Sequence, residues 1–159
     1  MLKFVEQQLG EGWVDEPNAP EPQVLVADSS VNVCFRAHRL VKEKKRSITS
    51  GWVTPFSKAA PQLDETWGTL SFIGCARWRW DSTNDHEWYK ADGHGRYSGI
   101  APHWGKFYEI TGPDPTRDAV PWETIRADAA NSRHFLYYFR DETLEFMAES
   151  WSFNLNLKL

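Results

Sequence analysis

Apolar and polar residues alternate in several parts of the chain with the period of two that is typical of half-buried β-strands. In one of these segments, Val33 and Phe35 share a face and Arg36 lies on the other. The shorter apolar run 24–27 precedes this segment, and residues 105–110 have the same strand character. The pattern predicts strands at residues 24–27, 31–41 and 105–110.

The clearest alternation is in TLSFIGCARWRW, residues 69–80. One face carries Leu70, Phe72, Ala76, Trp78 and Trp80, and the other carries Thr69, Ser71, Arg77 and Arg79. The pattern predicts one continuous strand with Trp78 and Trp80 in the core. The arginines of this strand are then expected to point to water or to acids on neighbouring strands.

Two more alternating segments lie close together near the C-terminus. HFLYYF places Phe135 and Tyr137 on one face, and TLEFMA does the same for Leu144 and Phe146. The polar residues 140–142 lie between the two segments and can reverse the chain. We therefore predict an antiparallel hairpin.

Two short segments have the spacing or the start signal of a helix. Residues 2–9 carry leucine and valine at helical spacing, and Pro121 suits the first turn of a helix over 121–130. Residues 11–22 contain three prolines and four acids and predict an exposed connection without regular structure. The expected fold class is α+β, mainly an antiparallel β-sheet with a short N-terminal helix and one or two further short helices.

The composition is that of one globular domain spanning residues 1–159. Hydrophobic residues make up 41% and charged residues 25% of the chain, so it can bury a core without metals or cross-links. Cys34 and Cys75 lie in apolar-alternating stretches and are expected to be reduced thiols. We find no stretch long and apolar enough for a signal peptide or a membrane span, which predicts a cytoplasmic protein without membrane contact.

Three histidines in a loop-rich stretch, His86, His94 and His103, raise the possibility of a metal site or an acid–base site. Their spacing matches no zinc motif, and we find no nucleophile or phosphate-loop motif. The sequence therefore predicts no catalytic residue, no cofactor and no metal. A hydrolase that uses one of these histidines stays open as a hypothesis.

Nine tryptophans are many for 159 residues, and RWRW at 77–80 places two guanidinium groups and two indoles on one strand. Such a strand could stack on single-stranded nucleic acid, or its tryptophans could simply fill a core. The net charge of −4 makes nucleic acid an unlikely partner, because such binding depends on neutralising phosphates. A small-ligand or single-stranded nucleic-acid binding β-domain remains the alternative function.

The segments WGTLSFIGCARWRW, GKFYEITG and HFLYYFRDETLEFMAESWSF resemble small bacterial immunity proteins of contact-dependent growth inhibition and related polymorphic-toxin systems. The resemblance covers residues 65–153 and rests on the aromatic hairpin with its FRDET reversal. It implies a protein that is not an enzyme and that binds and neutralises the toxin domain made by its own cell or its siblings.

No functional residue can be transferred from this family by position. If the toxin is a cationic nuclease, acids of the loop-rich stretch are the expected contacts, since opposite charge steers association. The candidate partner-binding residues are Asp81, Asp85, Glu87 and Asp92.

Overall fold

The computed structural model describes residues 1–40, 66–82, 84, 86–87, 96–127 and 130–156. These residues form eleven β-strands, and all the strand pairs are antiparallel. The strands are β1 (Lys3–Gln7), β2 (Trp13–Asp15), β3 (Gln23–Ala27), β4 (Ser30–Arg39), β5 (Trp67–Ile73), β6 (Arg77–Asp81), β7 (Lys106–Thr111), β8 (Glu123–Thr124), β9 (Arg133–Tyr138), β10 (Thr143–Ala148) and β11 (Ser150–Asn156).

The strands form two sheets that pack face to face as a β-sandwich. One sheet has the order β1-β7-β9-β10-β6-β8, and the other has β11-β5-β4-β2, with β3 also paired to β4. Alternate residues of both sheets point inward and fill the main core, where the rings of Phe72 and Phe146 stack with centroids 3.8 Å apart. In β4, β5, β9 and β10, the inward face is the apolar face that the sequence predicts.

The predicted α+β class is wrong, because the described residues are almost entirely antiparallel strand and only His86 and Glu87 have helical geometry. The segment predicted as an N-terminal helix is β1, which pairs with β7 along its whole length. A two-turn helix is too short to be stable alone. Pairing with β7 instead gives the backbone N–H and C=O groups of this segment hydrogen-bond partners. In addition, Phe4 packs edge-on against Tyr97 and Tyr108.

The second predicted helix, 121–130, is also absent from the described residues. Its described part contains the two-residue strand β8, which pairs with Arg77 and Trp78 of β6. Ile125 and Arg126 then donate their backbone N–H groups to the carbonyl of Ala76. The sheet edge thus supplies the hydrogen bonds that a helix would have made internally.

The continuous strand predicted at 69–80 is two strands in different sheets. The break is at Gly74, whose φ of +63° is a conformation that other residues rarely adopt. A Cβ there would lie 2.6 Å from the Glu149 side chain, at the point where the chain also crosses between sheets from β10 to β11. Trp78 packs against the core as predicted, but Trp80 lies beyond it and is 41% exposed.

The other predicted strands are confirmed as β3, β4, β7 and the β9–β10 hairpin. The charged run KEKKR at 42–46 and the residues from there to 65 lie outside the described residues. Both cysteines are free, and Cys75 is buried. Among the helical residues described, none belongs to a helix long and apolar enough to cross a membrane.

Both faces of the six-stranded sheet are covered. Its inner face packs on the other sheet, while its outer face carries a second apolar cluster that includes Tyr97, Leu136 and Tyr138. The segments 96–104 and 112–122 lie over this outer face, and Arg96 ties them together by donating to the Thr116 carbonyl at 3.0 Å. This explains why strands β9 and β10 are buried along nearly their whole length.

Candidate functional site

A cavity of about 370 Å³ lies where edge strand β1 of one sheet approaches edge strand β2 of the other. Small-molecule sites commonly have volumes of about 300–1,000 Å³. The cavity is open to solvent, and its exposed lining residues include Glu6, Gln8, His38 and Leu40. Its wall includes Trp13, Asp15, Trp104, Lys106, Phe107 and Tyr137. We call this cavity the Asp15 pocket.

Asp15 is the buried acid of this pocket, with only 3% of its surface exposed. Its Oδ1 atom accepts a hydrogen bond from the Tyr137 hydroxyl at 3.1 Å. In the described part of the chain, no Lys, Arg or His side chain forms an ion pair with it. Among the described residues, the buried Asp15 carboxylate therefore has the hydrogen bond from Tyr137 but no counter-ion.

The Tyr137 hydroxyl is held in place by the packing of its ring in the core. The ring stacks on Phe139 with centroids 4.1 Å apart and on Phe107 at 5.7 Å, and it is tilted against Phe35 at 5.3 Å. These neighbours come from both sheets, so the ring cannot shift without disturbing the core. Asp15 is therefore anchored to a rigid donor.

A tight turn at residues 10–12 brings β2 into position. The Leu40 N–H donates to the Gly12 carbonyl at 2.9 Å, and a Cβ on Gly12 would lie only 2.9 Å from the Leu40 carbonyl oxygen. Asp15 then pairs with Ala37 of β4. Because alternate residues of a strand face the same side, Trp13 and Asp15 both reach the pocket.

The space beside the carboxylate is open at Gly105. This residue has a φ of +74° and donates its N–H to the Tyr138 carbonyl at 2.6 Å. A Cβ on Gly105 would have one heavy atom within 4 Å, which is Asp15 Oδ1 at 3.9 Å. The pocket therefore reaches the buried carboxylate.

The charged side chains at the rim are already engaged or exposed. Lys106 Nζ lies 2.7 Å from Glu6 Oε2, and both side chains are about two-fifths exposed. Arg39 lies 5.9 Å from the centre of the Trp13 ring and donates to the Glu11 carbonyl. His38 is exposed at the rim. The rim pair cancels its own charge, so Asp15 gives the pocket its negative character.

Burial raises the pKa of Asp15 to about 6 from the usual 3.8, although the Tyr137 hydrogen bond acts in the opposite direction. The carboxylate is therefore mostly ionised at pH 7 but at a cost in free energy. Burial also raises the pKa of Tyr137 well above 10, so its hydroxyl stays protonated at neutral pH. A cleft that contains a strongly perturbed acid is a candidate for function.

A second buried carboxylate, Glu145, lies on the outer face of the six-stranded sheet. Arg79 donates to both of its oxygens at 3.0 and 2.9 Å, Arg96 donates at 2.7 Å, and His134 Nε2 lies at 2.6 Å. Burial alone would raise its pKa, but the hydrogen bonds from His134 and Arg79 and the nearby charges lower it to about 2. We call these four residues the Glu145 cluster.

The Glu145 cluster is closed rather than open to a ligand. The ring of Trp122 lies over the Arg79 guanidinium at 3.7 Å, and Arg79 Nη1 donates to the carbonyls of Arg117 and Val120. Three of the four contacts on Glu145 are on Oε2 and one is on Oε1, so both carboxylate oxygens are engaged within the protein. The cluster therefore fastens the covering segment 112–122 to the sheet.

The candidate acids predicted from the sequence do not form one described site. Asp81 is partly exposed at the end of β6, and Glu87 is exposed. Asp85 and Asp92 lie outside the described residues. Beside Asp81, the indole of exposed Trp80 hydrogen-bonds the Glu142 carboxylate, so an aromatic and acidic patch exists at this end of the hairpin.

The hypothesis of a site formed by His86, His94 and His103 gains no support from the described residues. His86 and His103 are exposed, and His94 lies outside the described part of the chain. The described residues contain no group of three or more potential metal ligands. The arginines of RWRW also have partners, because Arg77 pairs with Asp118 at 3.0 Å and Arg79 is buried against Glu145.

The Asp15 pocket was missed from the sequence because residues 11–22 were interpreted as an exposed connection. The prolines and acids of this segment outweighed a three-residue alternation, Trp13-Val14-Asp15, which is too short to be recognised as a strand. The tryptophan two residues before an acid was the one available signal. Burial of that acid depends on Tyr137, 122 residues away in the chain.

Comparison with known proteins gives no relative: no family model, no curated protein and no solved structure matches this chain.

Proposed function

We propose that the protein acts by binding and not by catalysis, and that the Asp15 pocket is its ligand site. The observation that carries this proposal is a buried carboxylate that lacks a counter-ion in the described residues and faces an open cavity. An uncompensated buried charge destabilises a fold. A ligand that enters the cavity can supply the missing compensation.

Binding is favoured over catalysis by the chemistry around Asp15. Its one side-chain partner is Tyr137, which stays protonated at neutral pH and is locked in the core. A nucleophile or general base normally works with a second titratable group within hydrogen-bond reach. Apart from Tyr137, the described lining of the pocket contributes no titratable side chain that is hydrogen-bonded to Asp15.

The test is protein-observed NMR with a library of small organic fragments, read from the tryptophan indole N–H signals. We expect the bound fragments to shift the signals of Trp13 and Trp104 and to leave that of Trp122, on the other face of the sheet, in place. Trp→Phe variants assign each signal. Fragments that shift no pocket indole, or that shift all indoles alike, would show that this cavity is not a ligand site.

A second candidate is a cytoplasmic immunity protein that neutralises a cognate toxin. It is favoured by the patch of Trp80, Asp81 and Glu142, since exposed tryptophan flanked by polar groups is typical of binding hot spots. A cationic toxin surface would match the acids of this patch. The resembling segments supply both sheets, so their shared residues would maintain the fold while the patch provides specificity.

Co-expression with the toxin encoded immediately upstream tests the second candidate. We expect the wild-type chain to restore growth and Trp80→Ala to lose most of that protection. Leu25→Ala is the matched control, because Leu25 is an exposed apolar residue on β3, at 61%. Continued death with the wild-type chain, or full protection by Trp80→Ala, would contradict a role for this patch in toxin binding.

A further inference from the structure

We propose that the Asp15 pocket binds an organic cation, an ammonium or guanidinium group carried on an apolar stem. This inference rests on the proposed function and names the chemistry of its ligand. The shared chemistry covers a free small amine and a Lys or Arg side chain presented by another protein. The experiment below separates these two sources.

The first support is the charge at the base of the pocket. Asp15 is 3% exposed, has Tyr137 as its hydrogen-bond donor and has no cation beside it among the described residues. In the same protein, the buried Glu145 is met by two arginines and a histidine. A cation placed beside Asp15 would supply the positively charged partner that Glu145 already has in its arginines.

The second support is the aromatic character of the walls. Trp13, Trp104, Phe107 and Tyr137 all line the cavity, and together they present indole, phenyl and phenol surfaces. Cations bind favourably over such rings, and tryptophan is the strongest of them. The rings also suit the apolar stem of the ligand, because they bury its surface from water.

The third support is access. The open space beside Gly105 leads to Asp15 Oδ1, the same oxygen that Tyr137 binds. A carboxylate oxygen has two acceptor sites, so the hydrogen bond from Tyr137 leaves room for a second donor. At the rim, Lys106 is neutralised by Glu6 and therefore adds little repulsion to an entering cation.

The same features disfavour the other ligand classes. An anion such as a phosphate or a carboxylate would meet Asp15 at close range in a poorly solvated site, where like charges repel strongly. A neutral ligand could fill the cavity but would leave the charge of Asp15 uncompensated. Preference for charge of one sign is therefore the property that distinguishes this proposal.

The experiment is isothermal titration of three compounds with the same ring and different charge: benzylammonium, benzyl alcohol and benzoate, at pH 7.5. We expect benzylammonium to bind at least tenfold more tightly than either of the others. Asp15→Asn keeps an acceptor for Tyr137 and should reduce that preference to threefold or less. Asp28→Asn, which removes one exposed charge at the β3–β4 turn, is the matched control and should keep the full preference.

A second arm compares benzylammonium with the end-blocked peptides Gly-Lys-Gly and Gly-Arg-Gly. Tighter binding of a peptide would assign the pocket to a side chain of a partner protein, and tighter binding of benzylammonium would assign it to a small amine. Circular dichroism of Asp15→Asn checks that the variant is folded. If it does not fold, wild-type titration at pH 5 provides the test, since protonation of Asp15 should abolish the preference for the cation.

The titratable groups of the described residues that line the pocket besides Asp15 are Glu6, His38, Lys106 and Tyr137, and Glu16 lies next to Asp15 in sequence. Because His38 also lies at the rim, His38→Gln is titrated in parallel as a control for the effect of pH on this side chain. Equal binding of the three ring compounds would overturn the cation proposal while leaving a ligand pocket in place. Failure of all three, together with a negative fragment test, would remove both proposals.

Discussion

Two buried carboxylates among the described residues, Asp15 and Glu145, have opposite surroundings. Glu145 is surrounded by Arg79, Arg96 and His134, and these partners lower its pKa to about 2 in spite of burial. Asp15 has one hydroxyl partner, and burial raises its pKa to about 6. The charge of Glu145 is compensated inside the fold and stabilises it. The charge of Asp15 is left uncompensated by the described residues. Asp15 also lines an open cavity.

The largest expected effect is at Glu145. Replacing it by Gln removes the negative charge and leaves two arginines buried together, which should lower the free energy of unfolding by about 3–5 kcal/mol. The pKa of Glu145 in the folded protein lies below the ordinary 4.5. The stabilisation that ionised Glu145 gives the wild type is therefore present above about pH 4.5 and is lost as the pH falls towards 2. Urea unfolding at pH 7 measures the loss. A change below about 1 kcal/mol would contradict the role assigned to the cluster.

Asp15→Asn should act in the opposite direction. The folded pKa of Asp15 lies above its unfolded value of 3.8, so the native protein binds more protons than the unfolded chain between about pH 4 and 6. The stability that depends on protonated Asp15 is therefore lost as the pH rises through 6. At pH 8 the variant should be more stable than wild type by up to about 3 kcal/mol, and the difference should shrink towards pH 4.

Urea titrations of the wild type and of Asp15→Asn at pH 4, 6 and 8 measure the difference in their free energies of unfolding. The other titrating groups are common to both proteins, so the difference reports on Asp15. A constant difference across the three values would mean that Asp15 has no raised pKa. A variant less stable than wild type at pH 8 would mean that a counter-ion compensates the charge.

Tyr137→Phe removes the hydroxyl that donates to Asp15 and keeps the ring that packs in the core. We expect a loss of about 1–2 kcal/mol at pH 8, the usual result of leaving a buried acceptor without its donor. Without this donor, the pKa of Asp15 should rise further above 6. NMR titration of the Asp15 carboxyl carbon measures that rise, and an unchanged pKa would exclude Tyr137 as its stabilising partner.

The smallest expected effect is at the rim. Glu6→Gln breaks the pair with Lys106, in which both side chains are about two-fifths exposed, and such pairs contribute about 0–1 kcal/mol. The loss of stability caused by Glu6→Gln should be smaller still in 0.5 M salt, because salt screens the attraction between Glu6 and Lys106 in the wild type. Thermal unfolding in low and high salt checks this. A large loss independent of salt would show that the rim pair belongs with the buried charges.

Much of the sandwich follows from local sequence. The alternations at 31–41 and in the β9–β10 hairpin predict strands that the structure confirms, because a face that alternates over six or more residues has one efficient way to be buried. The prediction that the arginines of RWRW meet acids on neighbouring strands is met by Arg79 and Glu145. Asp81 is partly exposed and Glu87 is exposed, so both acids are accessible to a partner.

Other features depended on contacts between residues far apart in the chain. Helical spacing at residues 2–9 was overridden because the edge of β7 offers five residues of backbone pairing. The long strand at 69–80 breaks because Gly74 and Glu149 bring two chain crossings together between the sheets. Neither the pairing partner nor the crossing is encoded in the local pattern, so the pattern alone predicted a helix and one unbroken strand.

The sequence by itself determined which residues are apolar on one face, and hence that the chain forms antiparallel sheets around an aromatic core. Tertiary structure decided which acids lie inside. Asp15 and Glu145 are both acids within short alternating segments, and nothing local distinguishes their environments. Arg79, Arg96 and Tyr137 reach these acids from 66, 49 and 122 positions away. The difference in their pKa values, and the pocket beside one of them, arises because desolvation and counter-ions depend on the folded neighbourhood.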